Sequence, residues 1–181
     1  MEISNNHSID SIAKIFLNTT QCILEKSTGK EINYANTIQK IPRISMRPDL
    51  TCFVQFYGDY MGLVIFNFSE EAAFEIYRHY MINMGMPEDE LAVSTSDPEV
   101  PDTIGEITNQ LMGQLIKAVE EAYDLNACYG QPKALTISSA ISLSINDTYT
   151  ENRRLSFKIN NYIFRIELSM ENTEFIDVAG L

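Results

Sequence analysis

The first apolar pattern in the chain is helical. Near the start of the sequence, apolar residues recur at helical spacing: Ile9, Ile12, Ile15, Phe16, Ile23 and Leu24. This spacing is typical of a helix with one buried side. Ser8 and Asp10 are candidate caps at its start, and Gly29 follows its end. The pattern predicts an amphipathic helix from about residue 8 to Gly29.

The next apolar runs change to a pattern typical of strands. "RISM", "TCFVQFY" and "GLVIFNF" are rich in aromatic and β-branched residues, which favour pleated structure. Gly58 and Asp59 lie between the last two runs and predict a hairpin connection. Ser69 is expected to cap a second helix, "SEEAAFEIYRHYMINMG", which has acidic residues in its first turn and ends at Gly85.

A second helical region follows a proline-containing loop. "MPEDELAVSTSDPEVP" predicts one short helical turn and then a loop, because Pro98 and Pro101 interrupt any longer helix. A long helix is then predicted from near Asp102 to about Tyr123. The apolar residues that gather on one side of it at 100° per residue are Ile104, Ile107, Leu111, Leu115, Ala118 and Ala122.

Three alternating segments complete the pattern and indicate an internal duplication. "KALTISSAISLSI", "RLSFKI" and "YIFRIEL" follow Gly130 and Pro132, and Asn160 and Asn161 predict a hairpin turn between the last two. The order is thus helix, three strands, helix, then helix, three strands. We expect pseudo-repeats of about residues 8–85 and 99–170 within a single domain of residues 8–181, preceded by a flexible segment, residues 1–7.

Composition limits the classes of function. The 181 residues are 45% hydrophobic and 21% charged, which is typical of a folded globular protein. A formal charge of −12 would repel nucleic acid and anionic lipid headgroups, so neither partner is expected. No apolar run reaches the roughly 20 residues of a membrane span, and "MEISNNHSID" lacks the regions of a signal peptide. We therefore expect a cytoplasmic protein.

The cysteines and histidines indicate no metal site. Cys22, Cys52 and Cys128 are odd in number and lack C-x-x-C spacing, so we expect three buried thiols rather than disulfides or zinc ligands. His7 and His79 have no Cys or His nearby in sequence to complete a ligand set.

The polar side of the long helix carries the candidate chemistry. Asp102, Glu106, Asn109 and Gly113 stand at i, i+4, i+7 and i+11, so they share one narrow strip that faces away from the apolar stripe. One interpretation is a solvated face, with Asp102 favouring the helix dipole. However, Gly105 and Gly113 each cost the helix about 1 kcal/mol relative to Ala. Glycines beside a carboxylate and a carboxamide suit a helix whose backbone another macromolecule must approach closely.

These residues resemble the signature of a known family. Asp102, Glu106, Asn109 and, after 22 further residues, Pro132 are similar to the Asp/Ser-x3-Glu-x2-Asn…Pro pattern of the CheC, CheX and FliY phosphatases of bacterial chemotaxis. "IGEITNQLMG" is most like the CheX version, and "GDYMGLVIFNFSEEAAFEI" resembles the hairpin, strand and capped helix that precede the motif helix. The resemblance spans roughly residues 8 to 170.

The resemblance implies a fold and an activity. The fold is α+β, with pseudo-two-fold repeats forming one continuous antiparallel sheet packed by long helices. The activity is removal of phosphate from the aspartate of a CheY-type response regulator. Asn109 would orient the attacking water and Glu106 would dock to the regulator, while Asp102, Gly105, Gly113 and Pro132 would support the motif or the interface.

The resemblance also implies partners and a stoichiometry. No cofactor of its own is expected, because the required Mg²⁺ would be held by the regulator. When the first helix is aligned with the long helix so that Asp10 matches Asp102, Lys14 takes the place of Glu106 and Leu17 that of Asn109. One active helix per subunit is therefore expected, as in CheX. CheX-like proteins pair through their sheets, which implies a homodimer.

Two other functions fit the same sequence. A non-catalytic module could use this helix to sequester a phosphorylated regulator or a flagellar partner, although binding alone would tolerate Ser or Asp in place of Asn109. A structural scaffold would need neither Glu106 nor Asn109.

Overall fold

The structure, a computed structural model, describes residues 8–143 and 151–178. Its helices are α1 (Ser8–Thr28), α2 (Glu70–Asn83) and α3 (Glu99–Tyr123), with a short 3₁₀ turn at Glu88–Glu90. Its strands are β1 (Ile32–Tyr34), β2 (Gln39–Lys40), β3 (Ser45–Met46), β4 (Leu50–Gly58), β5 (Gly62–Phe68), β6 (Ala127–Tyr129), β7 (Lys133–Thr136), β8 (Ile141–Ser142), β9 (Glu151–Ile159) and β10 (Tyr162–Met170). Two predicted features lie outside the described residues: the flexible segment 1–7, which includes His7, and the last two residues of "KALTISSAISLSI".

The helices form where the apolar periodicity predicted them. The Ser69 hydroxyl accepts a hydrogen bond of 3.1 Å from the Ala72 N–H, which caps α2. Gly29 and Gly85 follow α1 and α2 with φ of +66° and +95°, a conformation that glycine adopts without steric cost. The predicted start of α3 near Asp102 was too late, because Pro101 lies within its first turn. Proline is tolerated there, since an N–H in the first turn has no partner within the helix.

An antiparallel sheet of eight strands forms the other layer of the described structure. Its main path is β1-β9-β10-β5-β4-β6, while β2 pairs with β9 and β7 pairs with β4. The two predicted hairpins, β4–β5 and β9–β10, are confirmed and lie side by side through the β10–β5 pairing. Asn160 turns the second hairpin at φ +52°, a conformation that Asn accepts more readily than most residues.

Part of the strand prediction was wrong. The short strands β1, β2 and β6 were missed, since two or three residues carry too little alternation to identify. "KALTISSAISLSI" is not one strand: β7 pairs with β4, whereas β8 pairs with β3 in a separate two-stranded ribbon. The chain must leave the main sheet between them to reach the other face.

The main core lies between the helices and the inner face of the sheet. Phe56, Phe66, Phe157 and Phe164 project from the four central strands and are almost fully buried. The outer face has a smaller apolar cluster of Ile44, Met46 and Ile65. The β3–β8 ribbon therefore covers part of the face that the helices leave open.

Two expectations about burial were also wrong. Only Cys52 is buried, whereas Cys22 and Cys128 are exposed. Burial raises the pKa of the Cys52 thiol to about 11. In α3 the predicted apolar stripe is buried as far as Leu115, but Ala118 is half-buried and Ala122 is exposed, because Ile116 and Val119 form the buried side of the helix near its end. The pseudo-repeat, which no feature of the fold tests independently, stays a prediction.

Candidate functional site

The predicted motif residues line one groove. Asp102, Gly105, Glu106 and Asn109 form its α3 side, beginning at Pro101, and the chain around Pro132 forms the other. The groove has a volume of about 460 Å³. Asn109 and Pro132, which are separated by 22 residues in the sequence, thus line the same groove, because β6 and β7 return the chain alongside α3.

The polar side chains of the groove face solvent. Asp102, Glu106 and Asn109 are all exposed, while the neighbouring Ile104 and Ile107 are buried in the core. Because one side of α3 is fixed in the core, the opposite strip must point outward. Within the described residues, neither the Asp102 carboxylate nor the Asn109 carboxamide has a hydrogen-bond or ion-pair partner in the protein. Both remain available for an incoming molecule.

Glu106 has a weak contact on its own helix. The Gln110 amide nitrogen lies 3.4 Å from the Glu106 carboxylate and donates a second hydrogen bond of 3.2 Å to the Tyr80 hydroxyl of α2. Gln110 therefore links the motif helix to the neighbouring helix beside the predicted docking residue.

The start of α3 is fixed by polar contacts. The Tyr77 hydroxyl donates a hydrogen bond of 2.9 Å to the Glu99 carboxylate, and the Asp97 carboxylate accepts one of 3.0 Å from the Glu99 N–H. Glu99 and Asp102 both lie in the first turn, where the helix dipole favours negative charge. Asp102 therefore places a negative charge at one end of the groove, next to a helix terminus that is held by two hydrogen bonds.

The two glycines of the motif helix have different surroundings. A Cβ at Gly105 would meet only the Ala134 Cβ at 3.7 Å, an ordinary contact. A Cβ at Gly113 would lie 3.0 Å from the Tyr129 hydroxyl. Gly113 lies outside the groove, one turn beyond Asn109, and its lack of a side chain makes room for a residue of the same protein. This is an intramolecular reason for Gly113 that the sequence pattern did not reveal.

The first helix has no comparable strip. Lys14 is exposed, and Leu17 is 9% exposed and packs in the main core. At the two positions aligned with Glu106 and Asn109, α1 therefore presents a cation and a buried apolar side chain.

The remaining candidate residues lie apart from the groove. His79 on α2 is hydrogen-bonded to Glu75 at 3.1 Å, and burial lowers its pKa below the usual value. In the described part of the chain, no three His, Cys, Asp or Glu side chains are grouped so that they could hold a metal ion.

Sequence reasoning missed several residues of this region. Gln131 and Ala134 line the groove beside Pro132, and Tyr129 and Gln110 contact the motif helix or its side chains. Only their closeness in sequence to Pro132 and Asn109 could have indicated them, because the packing of β6 and β7 against α3 is a tertiary contact.

Solved structures with a similar fold include the chemotaxis protein CheX and FliY. The chain is 20% identical to the chemotaxis protein CheX from Desulfovibrio desulfuricans, with a TM-score of 0.72 over 89% of this chain and 99% of that one. It is 15% identical to the CheX-CheY-BeF3-Mg²⁺ complex from Borrelia burgdorferi, with a TM-score of 0.63 over 88% and 97%. Thermotoga maritima FliY is also 15% identical, with a TM-score of 0.62 over 93% and 92%.

These similarities define the α+β fold as that of the CheX, CheC and FliY proteins, as the motif predicted. The sequence family described as "Protein of unknown function (DUF3334)" matches residues 4–181, and the chain belongs to that family. No curated protein matches it in sequence. Among the described residues, no helix is both long enough and apolar enough to cross a bilayer.

Proposed function

We propose that this protein is a phosphatase that removes the phosphoryl group from the aspartate of a CheY-type response regulator. The observation that carries the proposal is that Glu106 and Asn109 are exposed side by side on one groove, with the Asn109 carboxamide unengaged within the described residues. Asn109 orients the attacking water, and Glu106 docks to the regulator.

The chemistry of an acyl phosphate suits these residues. Its hydrolysis passes through a loose transition state, so catalysis consists mainly of placing a water in line and stabilising charge. The Asn109 carboxamide oxygen can accept a hydrogen bond from that water without adding a negative charge near the phosphoryl oxygens. The protein supplies no metal in this scheme, since Mg²⁺ is held by the acidic pocket of the regulator.

The choice of partner is supported by the fold. A protein with this fold is present in the CheX-CheY-BeF3-Mg²⁺ complex from Borrelia burgdorferi. We place the protein in the cytoplasm, where response regulators act.

The likeness to CheX extends the proposal to a homodimer. Light scattering of the purified protein would test this, and a measured mass of one chain would contradict it.

The first experiment measures phosphate loss from a panel of CheY-type receiver domains of the same organism, each phosphorylated with a small-molecule donor. The wild-type protein should accelerate the decay from at least one of them. In Asn109→Ala the acceleration should be at least about tenfold smaller, because the attacking water is no longer held in line with the phosphoryl group. Gln114→Ala removes an exposed carboxamide from the same helix outside the groove and should retain full activity.

Two results would contradict the proposal. If a receiver domain binds in its phosphorylated form but no receiver loses phosphate faster, the protein is a sequestering module instead. If Asn109→Ala and wild type accelerate the decay equally, Asn109 does not position the water.

A further inference from the structure

Tyr129 contacts the turn of α3 that carries Asn109. Its hydroxyl donates a hydrogen bond to the Asn109 main-chain carbonyl at 3.4 Å. The same hydroxyl would lie 3.0 Å from a Cβ at position 113, closer than side chains ordinarily approach. The phenol therefore rests in the space left by Gly113, directly against the backbone of the functional turn.

The phenol is held from the sheet side. β6 pairs with β4 so that Tyr129 stands opposite Phe56, which is fully buried. The Asp59 carboxylate accepts a hydrogen bond of 2.8 Å from the Asn126 N–H and ties the start of β6 to the β4–β5 loop. The backbone from which the Tyr129 side chain extends is therefore also fixed by contacts outside α3.

We infer that Tyr129 is a positioning residue for Asn109, with Gly113 as the site that admits it. The inference rests on the proposed function. An Asn side chain has only two rotatable bonds, so the position of its carboxamide follows that of its backbone closely. A phenol lodged against this turn sets its distance from β6, and thereby the position from which the carboxamide holds the water. Small displacements of a positioning group have large effects on rate.

The kinetic test compares Tyr129→Phe with wild type on a phosphorylated CheY-type receiver domain that the wild-type protein dephosphorylates. Removal of the hydroxyl should lower kcat about three- to tenfold, while the receiver concentration that gives half-maximal rate stays within about twofold, because the docking groove is untouched. In the Asn109→Ala background the same change should have no further effect, since the group that it positions is absent. Tyr57→Phe is the matched control: Tyr57 is 55% exposed on the neighbouring strand and should leave kcat unchanged.

A second test measures thermal stability and does not depend on phosphatase activity. Gly113→Ala should gain helix propensity but force the Tyr129 hydroxyl away. In wild type, Gly113→Ala should therefore leave Tm unchanged or lower it. In the Tyr129→Phe background, where the hydroxyl is gone, the same change should raise Tm by about 2–4 °C. This difference measures the contact directly.

The outcomes separate this inference from the proposed function. If Asn109→Ala abolishes the acceleration but Tyr129→Phe keeps the wild-type kcat, Tyr129 does not position Asn109 and the proposed function stands. If Tyr129→Phe lowers kcat equally in the wild-type and Asn109→Ala backgrounds, its effect does not act through Asn109. If Asn109→Ala itself has no effect, the proposed function fails first. Equal Tm changes for Gly113→Ala in both backgrounds would contradict the contact.

Discussion

At the scale of single residues, the proposed reaction depends on a neutral carboxamide at position 109. Asn109 is exposed, so a change that keeps its shape should not disturb folding. Asn109→Asp replaces the amide nitrogen with a charged oxygen, which repels the phosphoryl oxygens as they approach. We expect this variant to lose at least about tenfold in kcat with Tm within about 2 °C of wild type, measured by phosphate release and thermal denaturation.

The added charge has a matched control. Asn33→Asp makes the same change at an exposed position on β1, so it alters the net charge equally without touching the groove. It should retain the wild-type rate. A full rate in Asn109→Asp would show that a carboxylate serves equally well there, and the role assigned to the carboxamide would be wrong.

At the scale of elements, α3 contains two glycines with different functions. Gly113 admits Tyr129, whereas Gly105 faces the groove and has room for a methyl group. Gly105→Ala should therefore stabilise the protein by up to about 1 kcal/mol, seen in urea denaturation. If Gly105 serves the close approach of a partner, the same variant should bind the phosphorylated receiver domain several-fold more weakly, as titration calorimetry would measure.

This combination of higher stability and weaker binding distinguishes an interface glycine from a structural one. Gln114→Ala, on an exposed turn outside the groove, also improves helix propensity and should leave affinity unchanged. Wild-type affinity in Gly105→Ala would show that no partner approaches the α3 backbone at this point.

At the scale of the whole molecule, a buried polar network attaches the outer layer to the sheet. The fully buried Glu167 carboxylate accepts hydrogen bonds from the Arg154 guanidinium at 2.8 Å and from the Ser45 N–H at 2.7 Å. Glu167→Ala would leave both donors without this acceptor. Because the Arg154 side chain is 20% exposed, we expect a loss near the lower end for buried pairs, about 3 kcal/mol, measured by urea denaturation.

A surface pair provides the comparison for that loss. Glu121 and Lys117 lie 3.5 Å apart with both side chains more than 60% exposed. Glu121→Ala should change stability by less than about 0.5 kcal/mol. If Glu167→Ala costs no more than this, the outer ribbon is held by its apolar cluster rather than by the buried carboxylate.

The elements that the sequence predicted well are those with long periodic patterns. α1, α2 and the β4–β5 and β9–β10 hairpins have apolar residues repeated over several turns or pleats, so their local preference and their tertiary burial agree. β1 and β6 are too short to show such a pattern. β8 was wrongly predicted to belong to the main sheet, because the alternation of apolar and polar residues within a strand does not indicate which strand it pairs with.

The sequence alone determined the polar strip of α3, since the positions of Asp102, Glu106 and Asn109 on one side follow from helical geometry. Its resemblance to CheX proteins also indicated the fold, which the solved structures share. Only the tertiary structure decided that Pro132 faces this strip across a groove and that Gly113 makes room for Tyr129. Both depend on how β6 and β7 return against α3, and such contacts between distant segments are set by the packing of the whole core rather than by local spacing.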